Sequence, residues 1–161
     1  EAVTSQGAEL GSMASGLGAR VSTLDAGFWT RMGGALASPI VVKISSEIRR
    51  LPFWAAEVER VMSRHGLTVS LVGEAGNGIL RAAVEGSVLP DTWGREIVAP
   101  LREALAAEGA SLVVERAPLD LKSAADVWGP VPETALAVMS RLKTEFDPRG
   151  VLNPGRFVGG L

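Results

Sequence analysis

The order of strand-like and helix-like segments between residues 38 and 116 limits the folds that this chain can adopt. Alternating apolar residues indicate strands, and apolar residues three or four apart indicate helices. The pattern gives strand, helix, strand, strand, helix, strand. This order is typical of the split βαβ or ferredoxin-like arrangement, an antiparallel sheet with both helices on one face. We therefore predict an α+β fold, extended by a C-terminal helix and tail.

The residues between these segments support the same order. Pro52 stands in the first turn of the first helix, and Gly66 follows its last turn, where His65 lies. We interpret His65 as a helix-end residue favoured by the helix dipole. Residues 73–78 form a glycine-rich connection, so residues 67–85 are predicted to be a β-hairpin.

The second helix contains a proline that complicates its boundaries. Pro90-Asp91-Thr92 is predicted to open this helix, yet Pro100 falls inside it. Proline lacks a backbone N–H and clashes with the preceding turn of an α-helix. Two alternatives stay open: the helix kinks at Pro100, or it begins near Val98.

A third helix and a tail follow the strand at residues 111–116. Pro132 is predicted to begin the helix, and Asp147-Pro148 to end it. The tail has turn signals at Arg149-Gly150 and Asn153-Pro154-Gly155. One interpretation is that the tail only clamps the end of the domain.

Residues 1–37 are predicted to form a linker or arm. Gly11, Gly16 and Gly18 argue against a stable helix in the first part. A short helix is expected after Asp25, a suitable N-cap, with the pair Gly33-Gly34 as its stop. The chain starts without Met, and we expect it to be an excised or processed piece of a longer protein.

The composition excludes several classes of function. The net charge is −2 with a pI of about 5.5, which argues against a nucleic-acid-binding protein. There is no cysteine and only one histidine, so thiolate metal sites and sites with several imidazoles are excluded. No apolar run approaches the ~18 residues that a membrane-spanning helix needs.

Two places could carry chemistry. Lys43, Arg81 and Arg116 lie in strands whose alternating neighbours are apolar, so basic groups are expected on the open face of the sheet. Such a face would suit a small carboxylate, although basic groups in a sheet are more often simply solvated. The glycine-rich turn at 73–78 precedes a strand, so neither a P-loop nor a dinucleotide fingerprint fits it.

The C-terminal motifs resemble a known family. Val127-Trp128-Gly129-Pro130, a helix containing Arg141-Leu142-Lys143, and the run from Phe146 to Arg156 are similar to the C-terminal end of FAD-linked oxidases. That superfamily includes the vanillyl-alcohol oxidase and D-lactate dehydrogenase types. The strongest likeness is to the FAD-binding E-type subunit of bacterial glycolate oxidase. The resemblance covers residues 38–161.

The resemblance implies a division of the chain and a cofactor. Residues 38–161 would be the cap domain, and residues 1–37 the linker to a missing N-terminal FAD domain. Asn153, Gly155 and Arg156 would contact the cofactor, and Lys43 matches a basic residue of the family's first cap strand. FAD would be held by the full-length protein and not by this fragment.

The resemblance also implies partners and a location. The partners would be a catalytic FAD subunit and an iron–sulfur subunit of a glycolate oxidase complex, with a small 2-hydroxyacid as substrate. We expect a cytoplasmic protein, attached to the inner membrane, if at all, through these partners.

The chain departs from the family at the glycine-rich turn. Glu74 and Arg81 stand where related catalytic subunits carry two histidines, and Asn77 replaces an acid. Arginine neither binds a metal nor takes a proton near neutral pH. We therefore expect no metal site. Lys43, Glu74 and Arg81 are only weak catalytic candidates.

Two rival hypotheses stay open. A ferredoxin-like domain can be a non-catalytic module that binds an effector or another protein, because fold does not determine function. The protein could also be an oxidase of another substrate class, such as an alditol or an aromatic alcohol.

Overall fold

The computed structural model describes residues 2–19, 25–85, 92–124 and 126–161. The chain forms two compact units, Glu1–Gly33 and Gly34–Leu161. The predicted helix start at Pro90 and Asp91 lies outside the described residues. No helix in the described part of the chain is both long enough and apolar enough to cross a membrane.

Four strands form one antiparallel sheet. They are β1 (Val41–Ser45), β2 (Thr68–Glu74), β3 (Ile79–Glu85) and β4 (Ser111–Arg116). Their order is β2-β3-β1-β4, so β1 and β3 are central. The predicted antiparallel sheet and its strand positions are confirmed.

Six α-helices lie along the described chain. They are α1 (Ala2–Gly16), α2 (Phe28–Ala35), α3 (Leu51–Arg64), α4 (Ala99–Ala107), α5 (Leu119–Ala124) and α6 (Glu133–Phe146). A π-helical turn, Gly94–Val98, leads into α4, and single 3-10 turns occur at Ile48–Arg50, Ala75–Asn77 and Val158–Gly160.

The core lies between one face of the sheet and the helices α3 and α4. Alternate strand residues such as Val42, Ile44 and Leu112 are buried together with Trp54 and Leu105 from the helices. Side chains in a strand alternate between its two faces. Lys43 and Arg81, each flanked by core residues, therefore lie on the opposite face, as predicted.

The π-helical turn explains how α4 tolerates Pro100. Helical backbone is already present at Trp93, and Pro100 is the second residue of α4. A π turn inserts one extra residue and widens the hydrogen-bond pattern, so the proline ring meets no regular α-helical turn before it. Helical backbone thus begins at Trp93 and not near Val98, and the wider π turn that precedes α4 accommodates the proline.

The expectation that glycines prevent a helix near the N-terminus was wrong. α1 extends to Gly16, and Gly18 at φ 74° follows its end. Good helix formers such as Ala8, Glu9 and Leu10 separate the glycines and offset their cost. α2 likewise continues through Gly33-Gly34.

Asp25 was expected to be the N-cap of the short helix, but α2 begins three residues later, at Phe28, and the Asp25 carboxylate accepts hydrogen bonds from the Arg31 guanidinium at 3.1 and 3.3 Å. Helix α5 was not predicted, because its six residues are too short to show a helical period. His65 lies at the C-cap of α3 with an exposed side chain, as its sequence position indicated.

Candidate functional site

A cleft of about 1030 Å³ lies beside the open face of the sheet. Its floor includes Lys43 from β1 together with Val113 and Glu115 from β4. Its walls come from the loop 126–131, from Leu136 of α6 and from the tail residues 155–160. The fold thus brings a central strand and the C-terminal tail, more than 100 residues apart in sequence, to one concave surface.

An ion-pair network lies on the sheet at the edge of this cleft. Arg81 donates to both oxygens of Glu115, with Nε–Oε2 at 2.8 Å and Nη2–Oε1 at 3.3 Å, and its Nη1 pairs with Glu74. Lys43 Nζ lies 3.7 Å from Glu115 Oε1. Bonds to Glu115 and Glu74 raise the pKa of Arg81, so the guanidinium stays charged.

The glycine-rich turn holds one acid of this network. Asn77 Nδ2 donates to Glu74 Oε2 at 3.2 Å. Hydrogen bonds from Asn77 and Arg81 lower the pKa of the Glu74 carboxyl. The turn therefore positions a carboxylate for an arginine. Arg116 donates elsewhere, to the carbonyl oxygens of Leu36 and Ser38, each at 3.0 Å.

The three tail residues proposed as cofactor contacts occupy different places. Gly155 and Arg156 line the cleft, whereas Asn153 stands at the preceding turn with φ 47°. Asn is one of the few non-glycine residues that tolerate this left-handed conformation. The structure therefore places Lys43, Gly155 and Arg156 around one cleft, with Arg81 and Glu74 behind its floor.

An aromatic contact fixes the tail to the cleft wall. The rings of Trp128 and Phe157 meet edge to face, with centroids 5.4 Å apart. Trp128 Nε1 donates to the Arg156 carbonyl oxygen at 3.4 Å. Val158 beyond them is buried. These contacts hold the Arg156 backbone while its side chain stays exposed.

The loop that carries Trp128 is itself fixed from behind. The Val127 carbonyl accepts a hydrogen bond from Val114 N of β4 at 2.8 Å, so the loop extends the sheet edge. Arg102 Nε donates to the Leu112 carbonyl at 3.1 Å, and a Cβ at Gly129 would lie 3.1 Å from the same nitrogen. Sequence reasoning missed Arg102, because nothing local marks a helix arginine that reaches a loop.

Asp147 is the second residue that sequence reasoning missed. It was predicted only to end α6, yet its carboxylate is 7 % exposed and organises the tail. It accepts hydrogen bonds from the backbone N–H groups of Val151 and Leu152, each at 2.9 Å, and from Lys143 Nζ at 2.6 Å. The available signal was an Asp four residues after a Lys, just before a Pro-Arg-Gly turn.

The tail is expected to loosen in acid because of Asp147. The hydrogen bond from Lys143, followed by those from Leu152 and Val151, lowers the pKa of Asp147 from its usual 3.8 to about 2. A lowered carboxyl pKa stabilises the fold above the unfolded value, and the stabilisation is lost as pH falls through the folded value. The protection of the Val151 and Leu152 amides against hydrogen exchange, measured relative to an unstructured chain, should therefore fall between about pH 4 and pH 2.

The matched control for this titration is Asp147→Asn, which keeps the shape but removes the charge. Its Val151 and Leu152 amides should exchange rapidly already at pH 6, with no further acid transition. Wild-type amides that stay equally protected down to pH 2 would contradict this role of Asp147.

The cleft has room for a flat ligand beside the tail glycines. A Cβ added at Gly155 or Gly160 would meet no atom within 4 Å. Trp128 and Phe157 offer aromatic surface, and Arg156 offers a cation, at the same wall. These groups fit one side of a flavin. Among the residues that the structure describes, no cluster of three or more His, Cys, Asp or Glu could hold a metal ion.

The tail and its helix are similar to part of a known family. Residues 129–157 match the family model described as FAD linked oxidases, C-terminal domain. No curated protein and no solved structure gives a significant match. The family match supports an FAD-linked oxidase C-terminal domain, a family that implies FAD binding by the full-length protein and an N-terminal FAD-binding partner domain. The matched residues include part of the cleft wall, at residues 129–131, 136 and 155–157, whereas Trp128 and residues 158–160 lie outside the match.

Proposed function

We propose that residues 38–161 are the cap domain of a flavin-dependent 2-hydroxyacid oxidase subunit of the glycolate oxidase type. One observation carries the proposal: the segment that matches the family contributes part of the wall of a cleft whose floor presents Lys43. FAD, when bound by the full-length protein, would accept the two electrons released when the hydroxyl-bearing carbon is oxidised. The residues of this chain would cover the flavin and orient the substrate.

The proposed roles follow from charge and position. Lys43 presents an ammonium group to the cleft and would bind the substrate carboxylate, because charge-assisted hydrogen bonds to carboxylates are strong. Arg156 and the backbone at Gly155 lie on the cleft wall and would face the cofactor. Asn153 would contact it from the neighbouring turn.

Arg81 and Glu74 are not suited to the metal-assisted chemistry of related subunits. The Arg81 guanidinium is shared between Glu74 and Glu115, and it has no lone pair for a metal or a proton. We therefore propose that this subunit works in a complex with a catalytic FAD subunit and an iron–sulfur subunit, which passes the electrons on.

The apolar face of α6 supports a missing partner domain. Val138, Leu142 and Phe146 are between 53 % and 79 % exposed, and no residue of α6 is buried. A shallow groove of about 390 Å³ lies at Val138 and Leu142, flanked by Arg141 and Glu145. An exposed apolar patch with a charged rim marks an interaction surface. We propose that the N-terminal FAD domain of the same polypeptide covers it.

Co-expression tests the proposed function. The full-length subunit, with the gene products that adjoin it, should show glycolate-dependent dye reduction and a flavin spectrum. The purified 161-residue chain should be colourless, because it lacks the FAD domain. A yellow chain with a stable flavin spectrum would contradict the proposed division of the cofactor site.

Asn153 variants separate a cofactor contact from a turn former. Asn153→Gly removes the amide and suits φ 47°, whereas Asn153→Ala removes it and adds backbone strain of about 1 kcal/mol. If the amide contacts flavin, both variants of the full-length complex should lose flavin or activity to a similar extent. If Asn153 only forms the turn, the glycine variant should keep both, and the proposed contact would be wrong.

The rival hypothesis, a non-catalytic interaction module, has one observation in its favour. Lys43 at the cleft floor already has a carboxylate partner, Glu115, which it shares with Arg81. The upstream reading frame decides between the two. A glycine-rich flavin-binding domain would support the oxidase, and an unrelated domain would support the module.

A further inference from the structure

Glu115 divides its carboxylate unequally between two cations. Arg81 Nε lies 2.8 Å from Oε2, and Nη2 lies 3.3 Å from Oε1, so the arginine engages both oxygens. Lys43 Nζ lies 3.7 Å from Oε1, beyond hydrogen-bond distance. The planar guanidinium suits this two-point contact, and the ammonium of lysine does not.

Arg81 is itself fixed from a second side. Its Nη1 pairs with Glu74, whose other oxygen accepts the hydrogen bond from Asn77. The glycine-rich turn therefore holds Glu74, Glu74 holds Arg81, and Arg81 holds Glu115. This chain of contacts gives the turn a role that the sequence motifs did not assign.

Within the described part of the chain, these contacts leave the Lys43 ammonium without a close hydrogen-bond partner. It makes no hydrogen bond there; it has the long ion pair with Glu115 and an electrostatic interaction with Glu74. Lys43 and Glu115 both line the cleft, whereas Arg81 lies outside the lining. An ammonium group carries three N–H donors, which here remain available to a ligand.

We propose that Arg81 is a positioning residue: by holding Glu115, it keeps the Lys43 ammonium available to a carboxylate ligand in the cleft. This inference rests on the proposed function, which supplies the carboxylate. Without Arg81, Glu115 would turn to Lys43, form a direct hydrogen bond and compete with the ligand. The network would thus set the affinity of the cleft for anions through a residue that does not touch them.

Three variants of the 161-residue chain test this mechanism. Glycolate binding is measured by calorimetry, with the neutral glycolamide as the matched ligand control. Arg81→Gln should weaken glycolate binding about tenfold, because it costs one charge-assisted hydrogen bond. Glu115→Gln should bind at least as tightly as wild type. The double variant Arg81→Gln/Glu115→Gln should recover most of the lost affinity, since the carboxylate nearest to Lys43 is then gone.

The double variant separates positioning from direct binding. If Arg81 contacts the ligand itself, or merely supports the fold, removal of Glu115 will not restore affinity, and the proposal is wrong. An unchanged Kd in Arg81→Gln would also overturn it. Lys43→Met should reduce the preference for glycolate over glycolamide in every background, to what the other cleft cations, Lys122 and Arg156, provide.

A structural readout keeps this inference separate from the proposed function. A crystal structure of Arg81→Gln should show the Lys43–Glu115 separation shortened from 3.7 Å to hydrogen-bond distance. If wild type does not distinguish glycolate from glycolamide, the 2-hydroxyacid assignment fails, and this distance still tests the positioning role. An unchanged separation would refute that role, whatever the ligand.

Discussion

Replacement of Gly78 by alanine is expected to lower the free energy of unfolding by more than about 3 kcal/mol. Gly78 has φ +67°, and an added Cβ would overlap the carbonyl oxygen of Ser46. The two residues also share a backbone hydrogen bond, Ser46 N to Gly78 O, at 2.9 Å. Backbone atoms cannot move aside as a flexible side chain can, so the turn between β2 and β3 should separate from the end of β1.

Gly66→Ala is the matched control for Gly78→Ala. Gly66 has nearly the same backbone conformation, φ +69°, but an added Cβ would meet nothing within 4 Å. Its substitution should cost only the left-handed strain, about 1 kcal/mol. Urea unfolding of both variants measures the difference. Equal losses of stability in the two variants would show that the overlap of the added Cβ with Ser46 does not affect stability.

Gly159→Ala is expected to detach the tail from α6 while the sheet stays folded. Gly159 has φ +67°, and an added Cβ would overlap the Leu136 side chain. Strain and overlap together should weaken tail docking by about 2 kcal/mol, or roughly thirtyfold. The loss should appear as a red shift of Trp128 fluorescence and as weaker glycolate binding, because Gly159 and Trp128 line the same cleft.

Two comparisons give this experiment its specificity. Gly160→Ala has φ +76° with open space around the added Cβ, so it should show backbone strain alone. Leu136→Ala in the Gly159→Ala background removes the overlapping side chain and should restore part of the docking. If Gly159→Ala leaves both fluorescence and binding unchanged, the tail does not depend on this contact.

The sheet and its two core helices could be predicted because the local spacing of apolar residues indicates each of them. Val42 and Ile44 alternate with Lys43, and this alternation alone fixes which strand face is buried. The strand β2 shows the limit of such reasoning. Gly73 and Glu74 were expected to belong to the turn, but they pair with Leu80 and Ile79 and lengthen the strand. Pairing with a neighbouring strand outweighed the local preference of glycine.

The candidate site was less predictable because its contacts join distant residues. Glu115 was not singled out from the sequence, although it connects Lys43 and Arg81. Its position depends on the register of β4 against β1, which shifts between Val41 and Val42. A single-residue shift moves a side chain to the other face of a sheet, and no local pattern reveals it.

The distribution of tryptophans has a consequence for folding kinetics. Trp54 and Trp93 are 2 % and 1 % exposed in the core, whereas Trp128 remains 37 % exposed beside the tail. The loop of Trp128 bonds to β4, the last strand in the chain, so its docking has to follow formation of the sheet. Core collapse and tail docking should therefore give separate fluorescence phases. With Trp128→Phe, the later phase should disappear while the earlier one keeps its rate.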